Sequence, residues 1–487
     1  MAQHTKVQHW IGGEWTDSSG ESNSINPATG EVIGTYNDGD ASTAEAAIAA
    51  AVQAFKTSDW RHDAMKRAAA LSHLADAFDA RLGELVGSLT TENGKLAPEA
   101  GFECHFIVRA FRFAAGLALV QQGRVADTKP GVQSMSLRQA IGVAGIIVPW
   151  NSPAYLSVRA IAPALAAGCT VAVKMPGQAA QTSAILADIF ASVEELPAGT
   201  VNIFVESGDA GARTLVDSPQ VPVVSFTGST QTGRLIGAAA AQGLKRVSLE
   251  LGGKTPHLIF DDADLSVALP TVVASSTVFA GQFCMTGSRV LVQRGIADDF
   301  IENLASALES VRPGPASDPE SQMGPMIDLA SVARVDAAVD AAIAAGAKAI
   351  VRGGASTLEH LAGGAFYHPT LLQVTDSTLD IVQTETFGPV QTVQVFDTEE
   401  EAIELANDTE YGLSASIWTR DSDRPLRVAR ELEAGLVSIN SWANLAVEFE
   451  EGGFKSSGVG RLGGVASLED FLEYKQISHA WDPGAGH

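Results

Sequence analysis

Three side chains with reactive chemistry stand where strand-like runs stop. Cys284 lies inside "VFAGQFCMTGSR" (278–289), where an apolar run turns small and polar. Glu250 closes "RVSLE" and is followed by Leu251, Gly252 and Gly253, and Asn151 follows "GIIVPW". A thiolate is a strong nucleophile, a carboxylate can act as general base, and an amide N–H can hold an oxyanion. Each also has a bland alternative: a packed core thiol, a solvated strand-end carboxylate, a turn asparagine. A fourth stretch, "SFTGSTQTGRLIG", brings a β-run ending at Phe226 to Gly228 and Ser229 ahead of a helical segment. Small residues there let backbone N–H groups and a helix N-terminus approach a phosphate, although the same residues serve as ordinary helix caps. "GVGRLG" (458–463) matches a dinucleotide fingerprint by pattern, but only 24 residues follow it, too few for the strand–helix–strand unit that fingerprint needs. It reads as a turn.

The elements that must position these groups are of α/β type. From Ile141 onward short β-runs ("IGVAGIIV", "TVAVK", "VNIFV", "VVSF", "RVSLEL") alternate with Ala-rich stretches of helical length such as 178–193, which predicts a parallel sheet. A second alternating block follows Cys284, with runs "SRVLVQ", "AIVRG", "TVQVF", "ASIWT" and "LVSIN" and helices near 297–310, 328–345, 398–407 and 423–433. Before both, 33–117 reads as mostly helical, with Ser42 and Glu45 as a capping box ahead of Ile48, Val52 and Phe55, and further helix through Leu71, Leu74, Phe78, Leu82 and Leu85.

At 487 residues the chain exceeds one hydrophobic core, and 46% hydrophobic residues make it an ordinary globular sequence. A net charge of −25 would repel phosphate backbones and anionic membranes, which argues against nucleic-acid and membrane partners. Cys104, Cys169 and Cys284 are few, odd in number and far apart, so neither a disulfide framework nor a cysteine-based metal site is expected. With no basic-then-apolar leader and no long apolar span, a cytoplasmic location is the expectation.

The ordered stretches "NPATGEVI" (26–33), "IIVPWNSP" (146–153), "APALAAGCTVAVK" (162–174), "FTGSTQTG" (226–233), "LELGGK" (249–254), "GQFCMTGSR" (281–289), "ETFGPV" (385–390) and "GGFKSSGVGR" (452–461) together resemble the NAD(P)-dependent aldehyde dehydrogenases, over nearly the whole chain. Glu250 lies 34 residues before Cys284 and Asn151 lies 99 before Glu250, as that family has them. The resemblance implies a Rossmann-like cofactor domain (1–119 and 141–252), an α/β catalytic domain (253–455) and oligomerisation or bridging segments (120–140 and 456–487). Its small β arm would pair "VQSMSLRQAIG" with "LEDFLEYKQISHAW" in a homodimer or homotetramer. It implies Cys284 as nucleophile, Asn151 as oxyanion donor and Glu250 as general base, with no metal. Lys174, Gly177, Ser229, Gly228, Glu385 and Phe387 would face NAD or NADP, together with Val148, Pro149, Trp150 and Leu251.

Departures from the family pattern shape the rest of the expectation. Gly177 replaces a Glu that many NAD-preferring members use, which admits NADP beside NAD. Ser152 replaces a frequent aromatic; Tyr155, Arg159, Phe283, Met285 and Trp442 would line the substrate tunnel. Arg159 would meet an anionic or hydroxylated aldehyde, or else pair within the scaffold. The expected substrate is therefore an aromatic aldehyde, or a semialdehyde or hydroxy-aldehyde with a polar or anionic group. Glu450 and Glu451 stand where Pro-Phe is common, and Phe279 where Asn is common. Two rivals remain at this level: a dehydrogenase that passes its thioester to coenzyme A, and a non-catalytic protein on the same scaffold. Retention of Glu250 speaks against the first, and of all three chemical residues against the second.

Overall fold

The computed structural model describes residues 6–481. Its first large sheet contains five parallel strands, β1 (Val143–Ile147), β2 (Thr170–Pro176), β3 (Val201–Glu206), β4 (Val223–Thr227) and β5 (Arg246–Glu250), in the spatial order β5-β4-β1-β2-β3. They are the five runs expected from sequence, each short, β-branched and largely buried on both faces. Antiparallel edges close the sheet: Gly458–Val459 beside β5, and His9–Ile11 then Glu14–Thr16 beside β3. The "GVGRLG" segment thus forms an edge strand and a turn, with Gly460 at φ 87°.

A second sheet of seven strands holds β6 (Pro256–Ile259), β7 (Arg289–Gln293), β8 (Lys348–Val351), β9 (Thr370–Gln373), β10 (Val390–Phe396), β11 (Ser414–Trp418) and β12 (Leu436–Ile439), in the order β8-β9-β10-β7-β6-β11-β12. Only β8 runs antiparallel. β6 and β9 carry no signal in the sequence, because four residues buried on most sides show neither alternation nor length. The third sheet pairs Val132–Ala140 with Leu472–Ala480 over nine residues, and with Arg124–Lys129 on its other side, which matches the expected arm pairing.

The helices include α1 (Ala64–Glu92), α2 (Ala97–Leu119), α3 (Pro153–Ala167), α4 (Ala180–Ala191) and α5 (Thr230–Gln242). Leu71, Leu74, Phe78 and Leu85 recur on the buried face of α1, and Phe78 stacks on Phe111 of α2 at 5.2 Å. α3 is buried along its entire length, so it runs through the interior. Two early expectations need correction. Residues 32–38 form a strand rather than helix, as β-branched Val32 and Ile33 with Tyr36 favour. The helix Ala41–Thr57 is capped by Asp40, whose carboxylate accepts the Thr43 N–H at 3.0 Å while Thr43 Oγ1 accepts the Asp40 N–H; Ser42 and Glu45 do not form the box, because the chain enters the helix two residues earlier than that pattern placed it.

Glu92 at the end of α1 ties that helix to α4 and to the strand Gly20–Ile25. Its buried carboxylate accepts hydrogen bonds from Ser24 Oγ (2.6 Å), the Gln181 and Thr182 N–H groups (both 2.9 Å) and Thr182 Oγ1 (3.1 Å). Those two N–H groups are orphan donors in the first turn of α4. Glu92→Ala leaves them buried without an acceptor, and a loss of about 3 kcal/mol is expected in urea unfolding; an unchanged midpoint would show that they are satisfied in another way.

Candidate active site

Two crossing directions meet at one end of the first sheet. The chain leaves β1 to add β2 and β3 on one side, then returns to add β4 and β5 on the other, which opens a crevice beyond the carboxyl ends of β1 and β4. Asn151 follows β1, Gly228 and Ser229 follow β4, and Glu250 is the last residue of β5. These residues therefore meet because of strand order, not nearness in sequence.

Cys284 enters from the second sheet, on the loop between the helix Leu265–Thr277 and β7. Phe279, Ala280 and Gly281 ahead of it are all left-handed, at φ 54°, 51° and 69°. For the two non-glycines this costs about 1–3 kcal/mol each, so surrounding contacts must impose it. A β carbon on Gly281 would strike the backbone of Gly388. The Phe279 N–H donates to Glu99 (2.8 Å), and the Lys95 ammonium lies 4.0 Å from the Phe279 ring centroid. Lys95 is paired with Glu103, both almost wholly buried, and Glu103 also accepts the N–H groups of Ala154 (2.8 Å) and Tyr155 (3.1 Å) in the first turn of α3. One ion pair thus anchors the segments that carry Asn151 and Cys284. Asn151 Nδ2 in turn donates to the Gln282 carbonyl at 3.2 Å. The Ser152 hydroxyl is directed at Lys95 (3.4 Å).

Cys104 and Cys169 are buried, whereas Cys284 is partly accessible. Burial pushes the Cys284 thiol up to about 12, and the nearby Arg159 guanidinium works against that shift. The Cys284 backbone N–H has no backbone acceptor among the described residues. Glu250 is 5% exposed, and its Oε1 has no hydrogen-bond partner among the described residues. Desolvation raises its carboxyl to about 7, with Arg159 again opposing. A buried base with a free oxygen and such a pKa suits proton transfer near neutrality.

The turn after Glu250 is built for close approach. A β carbon on Gly252 would overlap the Glu385 carboxylate, and one on Gly253 would lie 2.5 Å from the Cys284 carbonyl oxygen. Glu385 accepts the Gly253 N–H at 3.1 Å and is raised to about 7 by desolvation. Phe387, at φ 50°, meets Trp150 edge to face at 5.5 Å. Lys254, which sequence reasoning passed over although it ends "LELGGK", is buried, pulled down to about 7 by desolvation, and donates to Thr386 Oγ1 at 3.2 Å. Leu251 is fixed through its N–H to the Ser457 carbonyl (2.9 Å), and Val148 through its N–H to the Lys174 carbonyl (3.0 Å), with half-buried Pro149 next in the chain.

The remaining residues expected to face the dinucleotide lie along the same strand ends. Ser229 is exposed and caps α5, accepting the Thr232 N–H at 3.2 Å. Lys174 on β2 has its ammonium lowered by burial, while Glu206, Asp38 and Asp209 raise it. A β carbon on Gly177 would run into the Tyr36 hydroxyl, another contact the sequence did not reveal. Gly177 and Ser207 border a cavity of about 510 Å³, the size of small-molecule sites. Tight glycine cradles, an exposed helix N-terminus and a half-buried lysine fit a dinucleotide.

Of the expected tunnel residues, Phe283 and Trp442 meet edge to face at 5.7 Å, and Trp442 Nε1 donates to the Met285 carbonyl at 2.8 Å. Tyr155 packs on Phe106 (5.3 Å). Arg159 is paired within the scaffold: its Nη1 meets the carboxylate of Glu451, and its Nη2 donates to Thr227 Oγ1 at 3.1 Å. Glu451 was visible in the sequence only as a departure from pattern.

The model of the aldehyde dehydrogenase family matches residues 15–477. A betaine aldehyde dehydrogenase of Bacillus subtilis is 36% identical over 98% of either chain, and a 2-aminomuconic semialdehyde dehydrogenase of Danio rerio 37% identical over 97% of this chain and 98% of its own. The crystal structure of a betaine aldehyde dehydrogenase from Staphylococcus aureus in complex with NAD+ superposes with a TM-score of 0.95 at 35% identity, covering 99% of this chain and 96% of that one. With fold, motif order and length all in agreement, the chain belongs to the aldehyde dehydrogenase family and is an enzyme that oxidises aldehydes with NAD(P).

Proposed function

We propose that Cys284, Asn151 and Glu250 carry the oxidation of a polar or aromatic aldehyde to its acid. The observation that supports this most is the convergence of a partly accessible thiol, an amide donor and a buried carboxyl with one free oxygen on a single crevice. Glu250 takes the proton from the Cys284 thiol, directly or through water, and the thiolate adds to the aldehyde carbon. Asn151 Nδ2 and the Cys284 N–H receive the oxyanion, each such donor contributing about 3–4 kcal/mol in comparable sites. When bound, NAD(P) supplies the acceptor for the hydride that leaves the thiohemiacetal carbon, so that a thioester remains on Cys284. Once the hydride has left, Glu250 returns that proton to solvent; the carboxylate then draws a proton from water to hydrolyse the thioester and hands it to the departing Cys284 thiolate as the acid leaves.

Lys174, Ser229 and Glu385 are the residues we assign to the ribose and phosphate groups of the cofactor, with Val148, Pro149, Trp150, Gly177, Gly228, Leu251 and Phe387 shaping its bed. Phe283, Met285, Trp442, Tyr155, Ser152 and Arg159 are assigned to the aldehyde side. The first sheet with its helices (1–119, 141–252) forms the cofactor domain, 253–455 the catalytic domain, and 120–140 with 456–487 the bridge; residues 1–5 and 482–487 lie outside the described structure. In the bridge, Leu472–Ala480 is an exposed edge strand bearing Tyr474 and Ile477, which supports a homodimer or homotetramer that covers it. Among the described residues no helix is long and apolar enough to cross a membrane, and three free cysteines are consistent with a reducing, cytoplasmic setting.

Four outcomes test this reading. Absorbance at the reduced nicotinamide band with a panel of aldehydes should show turnover that Cys284→Ala abolishes, whereas equal activity of that variant would remove the nucleophile. Because a carboxyl raised to about 7 acts as base only when ionised, kcat should climb roughly tenfold per pH unit below about 7 and level above it. Glu250→Gln should erase that inflection, slow turnover by about 10²–10⁴ and leave a thioester visible by mass spectrometry. For the cofactor, a 2′-phosphate near Lys174 would meet the carboxylates of Glu206, Asp38 and Asp209. NADH should therefore bind more tightly than NADPH in fluorescence titration, and the reverse order would contradict this placement.

A further inference from the structure

Arg159 and Glu451 form an ion pair within the crevice, with 7% of either residue exposed. Arg159 lies on α3, two turns beyond Asn151, and Glu451 comes from a two-residue strand, Glu450–Glu451, pinned against Leu462–Gly463, so the pair joins segments 292 residues apart. Tyr155 sits one turn before Arg159 on the same helix. Both charges act on Glu250 and on Cys284, which places the pair beside the reacting groups and not behind them. A guanidinium in an apolar enclosure needs a counter-charge, and its forked donors match one carboxylate. Here the second nitrogen is spent on Thr227 as well.

Given the role assigned above to Cys284, we propose that Glu451 is a specificity-determining residue: it neutralises the charge of Arg159 and occupies its Nη1, leaving only the buried Nε without a partner among the described residues, so that the tunnel takes neutral, hydroxylated aldehydes and turns away carboxylate-bearing ones. An incoming carboxylate would have either to displace Glu451 toward Arg461, whose Nη1 is already spent on the Gly453 and Gly460 carbonyls, or to stand unpaired beside Glu451, and both are costly. A hydroxyl, by contrast, can donate to Glu451 without disturbing the pair. The selection is therefore a rejection built from the protein's own carboxylate rather than an attraction.

A matched pair of substrates of similar length reads this out: 4-hydroxybutanal and 4-oxobutanoate, compared by kcat/KM. The wild type should favour the hydroxy-aldehyde by about tenfold or more, chiefly through KM. Glu451→Gln keeps a hydrogen bond to Arg159 but frees its charge, and should move the ratio toward the carboxylate substrate by about a hundredfold. The thermal midpoint of Glu451→Gln should also rise with added acetate, which the wild type should not show. Arg159→Leu combined with Glu451→Leu removes both charges together, a change that buried pairs often tolerate, and should show neither the wild-type preference nor the acetate response. An active wild type that favours 4-oxobutanoate, or a ratio that neither variant protein moves, would overturn the proposal alone. A wild type inert toward every aldehyde would overturn the reading of the whole site, and this proposal with it.

Discussion

Exclusion of water from a space that holds several ionisable groups is the constraint on which this structure turns. Glu250, Cys284, Arg159, Glu451, Glu385 and Lys254 share one crevice between two sheets, and each would be better solvated outside it. The protein manages the cost in two ways. Where an opposite charge is at hand the group stays ionised, as Arg159 does beside Glu451; where none touches it, the pKa moves toward neutrality, as for Glu250 and Lys254. Of the groups that end near neutrality, Glu250 is the one proposed to exchange protons.

A second layer of buried charge holds the first in place. Lys95 and Glu103 touch no reacting group, yet they reach both the first turn of α3 and the left-handed turn before Cys284. A strained turn persists only where its surroundings over-determine it, and here an ammonium over a ring and a carboxylate on an N–H do so together. Geometry at the thiol is thus set by residues some 180 positions earlier in the chain.

Much of this was legible in the sequence, for identifiable reasons. The five strands of the first sheet announce themselves by β-branched runs, and Asn151, Glu250 and Cys284 by motif order and spacing. What stayed hidden depends on distant contacts. β6 and β9 are too short to carry a period. Asp40 displaced Ser42 as a cap because the entry angle of the chain, not the pattern, selects it. Tyr36 gives no hint in sequence that its hydroxyl stands against Gly177, and Glu451 shows there only as a departure from the family pattern, with no sign of its partner on α3. Local propensity cannot report pairings across about 140 or 290 residues, which only the closed fold creates.

The edge strand Gly458–Val459 has a consequence for how the enzyme comes into being. It lies against Leu249 and Glu250, and the neighbouring Ser457 carbonyl holds Leu251. Contacts of such long range are closed late in folding, after the entropy of a large loop has been overcome. On a ribosome, the parallel strands can assemble while Glu250 still has water on one flank. Its burial, and with it the raised proton affinity that the proposed base role needs, must wait until residue 459 has emerged, so a nascent chain carries every chemical group of the crevice well before the crevice is closed.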